Sequence, residues 1–316
     1  MSDLGHVLIL AGGLSAEREV SLRSGHRLRD ALQEAGVEAE VADADAGLIA
    51  ALSTDPPSAV FPAIHGAYGE DGSIQEILAL LGVPFVGAAA EACRFAFDKP
   101  VAKAVVRAAG LATPASVTLP KETFHDLGAA AVLARIVATL GLPLFVKPAR
   151  GGSALGASRV MAAEDLPGAM ISCFAYGDTA LIEHCVVGTE IAVGVLDLGE
   201  GPRALPAVEI HPLSGGYDYA ARYTAGRTRF YTPARLSPGE AAAAAATAVT
   251  AHRSLGLRDL SRTDLIISGG QVFFLEVNVA PGMTETSTLP MAMEAAGRAL
   301  GITCRDLLGI AAARGS

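Results

Sequence analysis

Cysteine is scarce, with four in 316 residues. Cys93, Cys173, Cys185 and Cys304 are widely spaced and include no C-x-x-C pair. That excludes a disulfide framework or a zinc site built on cysteines and favours free thiols in a reducing, cytoplasmic compartment. No Lys/Arg cluster stands out and the formal net charge is −9, so no nucleic-acid partner is expected. The start, MSDLGHVLILAGG, lacks a basic n-region, and its apolar run is a strand's length. It reads as neither a signal peptide nor a membrane span. No other window offers about 18 uninterrupted apolar residues, so no membrane partner is expected. The G-x-G-x-x-G dinucleotide fingerprint and the P-loop are missing. No internal repeat is visible, and the alanine run after Glu240 is a helix signal. What remains is an Ala-rich chain, 51% hydrophobic and 18% charged, that reads as a soluble globular protein of two or three domains.

The stretch 262–288, RTDLIISGGQVFFLEVNVAPGMTETST, carries the most information. Two apolar runs flank Gly269-Gly270, the pattern of a hairpin buried on both faces. Glu276 and Asn278 are two apart and share a strand face, while Asp264 lies near the start of the partner strand. A loop of Gly269-Gly270 alone sets Asp264 opposite Leu275; an odd loop that adds Gln271 sets it opposite Glu276. The odd loop is the expectation, because it gathers three oxygen-bearing side chains on one face. Such oxygens suit Mg²⁺, which is commonly held by carboxylates together with substrate phosphates. A polar hairpin end turned to water is the alternative. Pro281-Gly282 then opens a hydroxyl-rich turn whose backbone N–H groups can face an anion, unless it is only a loop into the helix beyond Pro290.

From the N-terminus, His6 to Leu10 is a buried strand ending in glycines. Ser15 is the expected N-cap of a helix to about Ala35, with Glu17 and Glu19 in its first turn. Strand, glycines and helix N-terminus are the layout of a ligand-binding α/β crevice. There Glu17 is either placed to meet a substrate ammonium or is a plain macrodipole partner. Strands are expected at 37–42, 59–64 and 83–86, with a helix near 73–81. Between them a glycine-rich loop presents His65, either for function or as a surface hydrogen-bonding residue. Residues 91–110 read as a helix interrupted at Pro100, with Asp98 as a cap. A strand at 114–118 and a helix at 126–140 follow. Lys147 ends an apolar strand, where a charge needs an anionic partner, and residues 150–157 form a mobile Gly/Ser loop suited in kind to phosphate. Two strands span 180–196, interrupted by Glu183 and Glu190. Residues 211–233 read as a functional Ω-type loop, and a helix is expected at 238–254.

In this order the motifs are familiar. Gly12-Gly13-x-Ser15-Ala16-Glu17-Arg18-Glu19-Val20-Ser21, His65-Gly66 with Gly69-Glu70-Asp71-Gly72, Asp98-Lys99, Val146-Lys147-Pro148, Arg262-x-Asp264, Leu275-Glu276-Val277-Asn278 and Pro281-Gly282-Met283-Thr284 resemble the D-alanine–D-alanine ligases. The likeness runs from residue 7 to about residue 290. It implies a mixed α/β, ATP-grasp fold with a Rossmann-like N-terminal α/β domain (1–90), a central domain (91–187) and a C-terminal domain with the metal site (188–316). It further implies a homodimer that joins two D-alanine molecules at the cost of ATP for peptidoglycan precursors. By position, Lys99 and Lys147 would contact the ATP phosphates, and Glu183 and Glu190 the adenine and ribose. Val186 and Arg222 would also lie on the nucleotide side. Asp264, Glu276 and Asn278 would hold two Mg²⁺, with Mn²⁺ as an alternative ion. Glu17 would bind the first ammonium with His65 near its carboxylate. Arg262 and the Gly282 N–H would stabilise the oxyanion, and Ser287 and Thr288 would lie at the second substrate. Ser153 belongs to a lid at 150–157, linked to Tyr223 in a second lid at 214–231; both lids are expected to order only with ligand.

The chain departs from the usual pattern at Gly151, Ala154, His184-Cys185, Arg222 and Thr288. The rival expectations are an ATP-grasp ligase for other small amino or hydroxy acids and, in another class, a non-catalytic nucleotide-binding regulator.

Overall fold

The computed structural model describes residues 4–213 and 226–315. Val7–Ala11 (β1) is buried throughout and pairs in parallel with Ala39–Asp43 (β2) and Ala59–Pro62 (β3). Parallel neighbours need crossovers, supplied here by Arg18–Glu34 (α1) and Leu48–Thr54 (α2). The strand expected at 83–86 reduces to a single bridge between Val60 and Phe85. Ser73–Leu80 is α3.

The interrupted helix at 91–110 is two helices, Ala90–Phe97 (α4) and Lys99–Ala108 (α5). Asp98 separates them and caps the second by accepting the Val101 N–H at 3.2 Å. Beyond Ser116–Pro120 (β4), the helix expected at 126–140 also divides, into Lys121–Leu127 (α6) and Ala129–Leu140 (α7). Gly128, at φ +83°, makes the corner, which a residue with a Cβ would resist. Leu144–Pro148 (β5), Ser158–Val160 (β6), Leu166–Phe174 (α8) and Thr179–His184 (β7) complete an antiparallel sheet of order β4-β7-β5-β6.

The second strand of 180–196, Thr189–Leu196 (β8), belongs to a different sheet. That sheet adds Arg203–Ala204 (β9), Val208–Pro212 (β10) and Thr228–Tyr231 (β11). Pro238–Ser254 (α9) begins with a capping box between Ser237 and Glu240 and leads to Leu260–Ser268 (β12) and Gln271–Asn278 (β13). Thr288–Ala295 (α10) and Leu300–Arg314 (α11) close the chain.

Packing crosses the sequence order. Helices α4 and α5 open the stretch expected to form the central domain, yet Ala102 and Val106 pack with Phe274 and Val277 in the core of the β8–β13 sheet. The apolar face of α5 follows helical spacing, so it covers that sheet while its first turn stays at the cleft. Helix α11 returns to the N-terminal layer, where Leu307 and Leu308 share a core with Leu28 and Leu32. A Cβ on Gly301 would lie 1.9 Å from the Ala31 carbonyl oxygen, so only glycine permits that approach. Among the described residues no single helix is long and apolar enough to cross a membrane.

Candidate active site

The turns after β1 and β3, the start of α5, the Gly/Ser loop after β5, the β12–β13 hairpin and the 282–288 turn line an open cleft. Its N-terminal wall is the turn after β1. Ser15 does not cap α1: its hydroxyl donates to the His65 carbonyl at 2.8 Å and accepts the Glu17 N–H at 3.2 Å. The helix begins at Arg18, leaving Glu17 at the N-cap position with no side-chain cap bond. Its carboxylate, 5% exposed, is turned into the cleft.

Gly66 lies between two acids. A Cβ there would fall 2.6 Å from Glu17 Oε2, and the Gly66 N–H donates to Glu70 Oε1 at 2.9 Å. Burial pushes the Glu70 carboxyl up to about 7, opposed by the Gly66 bond and assisted by the charge of Glu17. The sequence reading passed over Glu70, although it stands in the same glycine-rich loop as His65.

His65 lines the cleft but has no ring nitrogen to spare. Nδ1 bonds the Ala280 carbonyl at 3.0 Å and Nε2 the Ser24 hydroxyl at 2.9 Å. The Ala280 carbonyl can only accept, which places the His65 proton on Nδ1 and makes the Ser24 hydroxyl the donor to Nε2; Ser24 Oγ in turn accepts the Met283 N–H at 3.1 Å. Burial lowers the imidazole to about 4, so the ring is neutral at neutral pH. As a neutral ring it joins the first wall to the 281–287 turn. Arg27 reinforces that junction, donating to the carbonyls of Met283 and Thr284 at 2.8 and 2.6 Å. Neither Ser24 nor Arg27 gave a signal in the sequence, since their partners on the 281–287 turn are more than 250 residues away.

The opposite wall is the β12–β13 hairpin. Asp264 does pair with Glu276, but the expected odd loop is absent. Ser268 pairs with Gln271 across a two-residue turn, Gly269 and Gly270 both at positive φ, as a type I′ turn requires. The register shifts instead at a bulge after Asp264, where the partner of Leu265 is Phe274. One extra residue in β13 re-aims Glu276. Arg262 holds Asp264 through two bonds of 2.7 and 2.9 Å. Glu276 lies 3.7 Å from the Lys99 ammonium, and Asn278 Oδ1 accepts the Ala280 N–H at 2.9 Å with a lone pair left over. Among the described residues no cluster of three His, Cys, Asp or Glu suits a metal. Two carboxylates and an amide oxygen on one face do suit Mg²⁺, with phosphate and water completing the shell.

The Gly/Ser loop closes over both walls. Lys99 donates to the Gly151 carbonyl at 2.6 Å, and a Cβ on Gly152 would sit 3.1 Å from Glu17 Oε1. Ser153, at φ +53°, also lines the cleft. This segment is seated across the site. Tyr223 and Arg222 lie outside the described residues. Ser287 accepts the Thr284 N–H at 3.0 Å and faces the cleft with Gly282 and Thr288. The Thr288 hydroxyl is buried without a hydrogen-bond partner among the described residues.

Lys147, Glu183, Val186 and Glu190 do not line this cleft. Lys147 on β5 reaches Glu183 on β7 at 2.9 Å, and Glu183 also contacts Lys103 of α5, a residue the sequence reading missed. Val186 and Glu190 are half-buried on the passage from β7 into β8.

The D-ala D-ala ligase N-terminus family model matches residues 40–88 and the D-ala D-ala ligase C-terminus model residues 105–308. The chain belongs to the D-alanine–D-alanine ligase family. The D-alanine–D-alanine ligase of Anaeromyxobacter dehalogenans is 38% identical over 307 residues, covering 97% of this chain and 96% of the relative. That of Bordetella avium is 39% identical over 311 residues, covering 98% and 96%. Among solved structures, the D-alanine–D-alanine ligase from Bacillus anthracis complexed with ATP has a TM-score of 0.82 at 25% identity, covering 99% of this chain and 98% of that one. The VanG D-Ala:D-Ser ligase from Enterococcus faecalis has a TM-score of 0.81 at 28% identity, covering 96% and 98%. The architecture is the mixed α/β, ATP-grasp fold of the D-alanine–D-alanine ligases. Two departures from the ligase motifs have local causes. Gly151 takes φ +121°, a conformation L side chains avoid, and His184 Nδ1 bonds the Leu140 carbonyl at 3.2 Å.

Proposed function

We infer that this protein is an ADP-forming ligase that joins two D-alanine molecules into D-alanyl-D-alanine for peptidoglycan precursors. One observation carries the reading: Glu17 and the Asp264–Glu276 face look into the same cleft, bridged by the loop that contains Ser153. A carboxylate is a poor acyl donor, so ATP first phosphorylates the carboxylate of one D-alanine. Glu17 holds that molecule's ammonium, while Lys99 and Lys147 neutralise the phosphates. Mg²⁺, held by Asp264, Glu276 and Asn278, would supply further charge neutralisation when bound. The acyl phosphate stays dry beneath residues 150–157. The second amine then attacks the acyl carbon, Arg262 with the Gly282 N–H stabilises the developing oxyanion, and its collapse breaks the bond to the phosphate, which leaves as inorganic phosphate. For Arg262 to do so it turns from Asp264, which is then free to meet a cation. Ser287 anchors the second carboxylate, with Thr288 beside it. Glu183, Val186 and Glu190 take the base and ribose of ATP.

We also assign the chain to three units near 1–90, 91–187 and 188–316, with helices α4 and α5 serving the third, and to a cytoplasmic homodimer without nucleic-acid or membrane partners. The test is phosphate release from ATP with D-alanine, L-alanine and D-lactate compared side by side. Release that depends on D-alanine is expected. Release that is independent of D-alanine contradicts the reading.

A further inference from the structure

Lys103 is 1% exposed and sits one helical turn after Lys99 on α5. Its ammonium contacts one oxygen of Glu183, itself 3% exposed, while Lys147 contacts the other at 2.9 Å. Strand pairing brings the latter two together: Phe145 pairs with Glu183 and Lys147 with Leu181, so Lys147 and Glu183 are diagonal neighbours on one face of the β5–β7 pair. Two lysines thus share one buried carboxylate. A single cation would satisfy it, and a second buried ammonium at the same site adds repulsion. The surplus needs a reason.

The two lysines are not equivalent. Lys103 is enclosed, whereas the Lys147 side chain is 10% exposed and stands at the end of β5, where the Gly/Ser loop begins. We propose that Lys103 is the fixed counter-ion of Glu183, which allows Lys147 to leave that carboxylate for the nucleotide phosphates. This rests on the ligase reading, in which Lys147 meets ATP. Without Lys103, departure of Lys147 would strand a buried carboxylate, so phosphate binding would have to overcome that penalty. With Lys103 in place, Glu183 stays ionised, oriented and able to accept a hydrogen bond from the base. Burial first, then the charges of Lys147 and Arg107, lower the Lys103 ammonium, against the pull of Glu183. Moving Lys147 to a phosphate removes one repulsion and tightens Lys103's hold on its proton. Lys103 is therefore a positioning residue that never touches ATP.

Calorimetry with Mg-ADP and with magnesium tripolyphosphate tests this on the whole protein. K103M, which still leaves Glu183 one lysine, is expected to weaken both ligands by about tenfold or more. In K103M/E183Q the carboxylate charge that holds Lys147 is gone, so tripolyphosphate affinity is expected to return to within about threefold of the parent. E183Q alone should bind tripolyphosphate no more weakly than the parent. Thermal melts accompany each variant; a purely structural role for Lys103 predicts that the double variant binds as poorly as K103M. K103M that binds like the parent, or a double variant that fails to recover, overturns this proposal alone. A parent protein that binds neither ligand overturns the ligase reading, and the proposal with it.

Discussion

The carboxylates of the hairpin and the carboxylate of β7 are all paired with cations, but the two regions are built differently. Around Asp264 and Glu276 the paired side chains keep 10–26% of their surface, and Glu276 meets Lys99 at 3.7 Å. Around Glu183 the same measure is 2–10%, with Glu183 itself at 3%, and Lys103 and Lys147 occupy both oxygens. Partners in the first region are exchangeable, because water or an incoming ion replaces what is lost. In the second region water does not readily replace a lost partner, so the departure of one lysine has to be covered by the other. Exposure therefore decides how freely an acid can exchange its cation partner.

Substitutions should separate these roles. Glu276→Gln keeps shape and removes charge at the open face. Turnover is expected to fall by at least about a hundredfold, near 2.7 kcal/mol of barrier, with an unchanged melting curve. Retention of activity within about tenfold, roughly 1.4 kcal/mol, removes Glu276 from the metal assignment. Glu183→Gln tests the closed region. Leaving two lysines without their carboxylate should lower unfolding stability by about 3 kcal/mol in urea titrations. A loss below about 1 kcal/mol would erase the contrast between the regions.

Glu70 lies between these extremes, buried yet on the cleft. Its carboxyl is raised from 4.5 to about 7 by burial. An acid with a raised pKa binds its proton more tightly in the folded state, so its contribution to stability is complete below pH 4.5 and is lost as pH rises through 7. His65 and His252, lowered to about 4 by burial, act in the opposite sense and cost stability as pH falls below 6.5. Comparing Glu70→Gln with the parent isolates the acid. The variant should gain on the parent between pH 5 and pH 7.5 by about 2–3 kcal/mol; an equal pH dependence of the two would place the Glu70 charge in water. The smallest effect concerns Thr288, whose hydroxyl has no partner among the described residues. Thr288→Val should raise stability by about 1 kcal/mol, and a loss of that size would mean the hydroxyl is satisfied.

Much of the site was legible because its residues interrupt local patterns. An acid and an amide two apart at the end of a greasy strand, or a lysine closing another, announce themselves. The pairing of Asp264 with Glu276 was read, but its cause was not. A bulge at Leu275 leaves no trace in composition, and the glycine turn alone pointed to the wrong register. The helix at 121–127, KETFHDL, was missed because it is short and polar, and its corner at Gly128 looked like the interior of a longer helix. Lys103, Ser24 and Arg27 were invisible for another reason. Each lies in an ordinary helical sequence, and its partners are 41 to 259 residues distant.

Product analysis by mass spectrometry tests the central claim most directly, with D-alanine and ATP as the only substrates and ADP counted in parallel. The account predicts one D-alanyl-D-alanine for each ADP formed, with no dipeptide when ATP is withheld. ADP that accumulates without dipeptide, or dipeptide that forms without ADP, would contradict it.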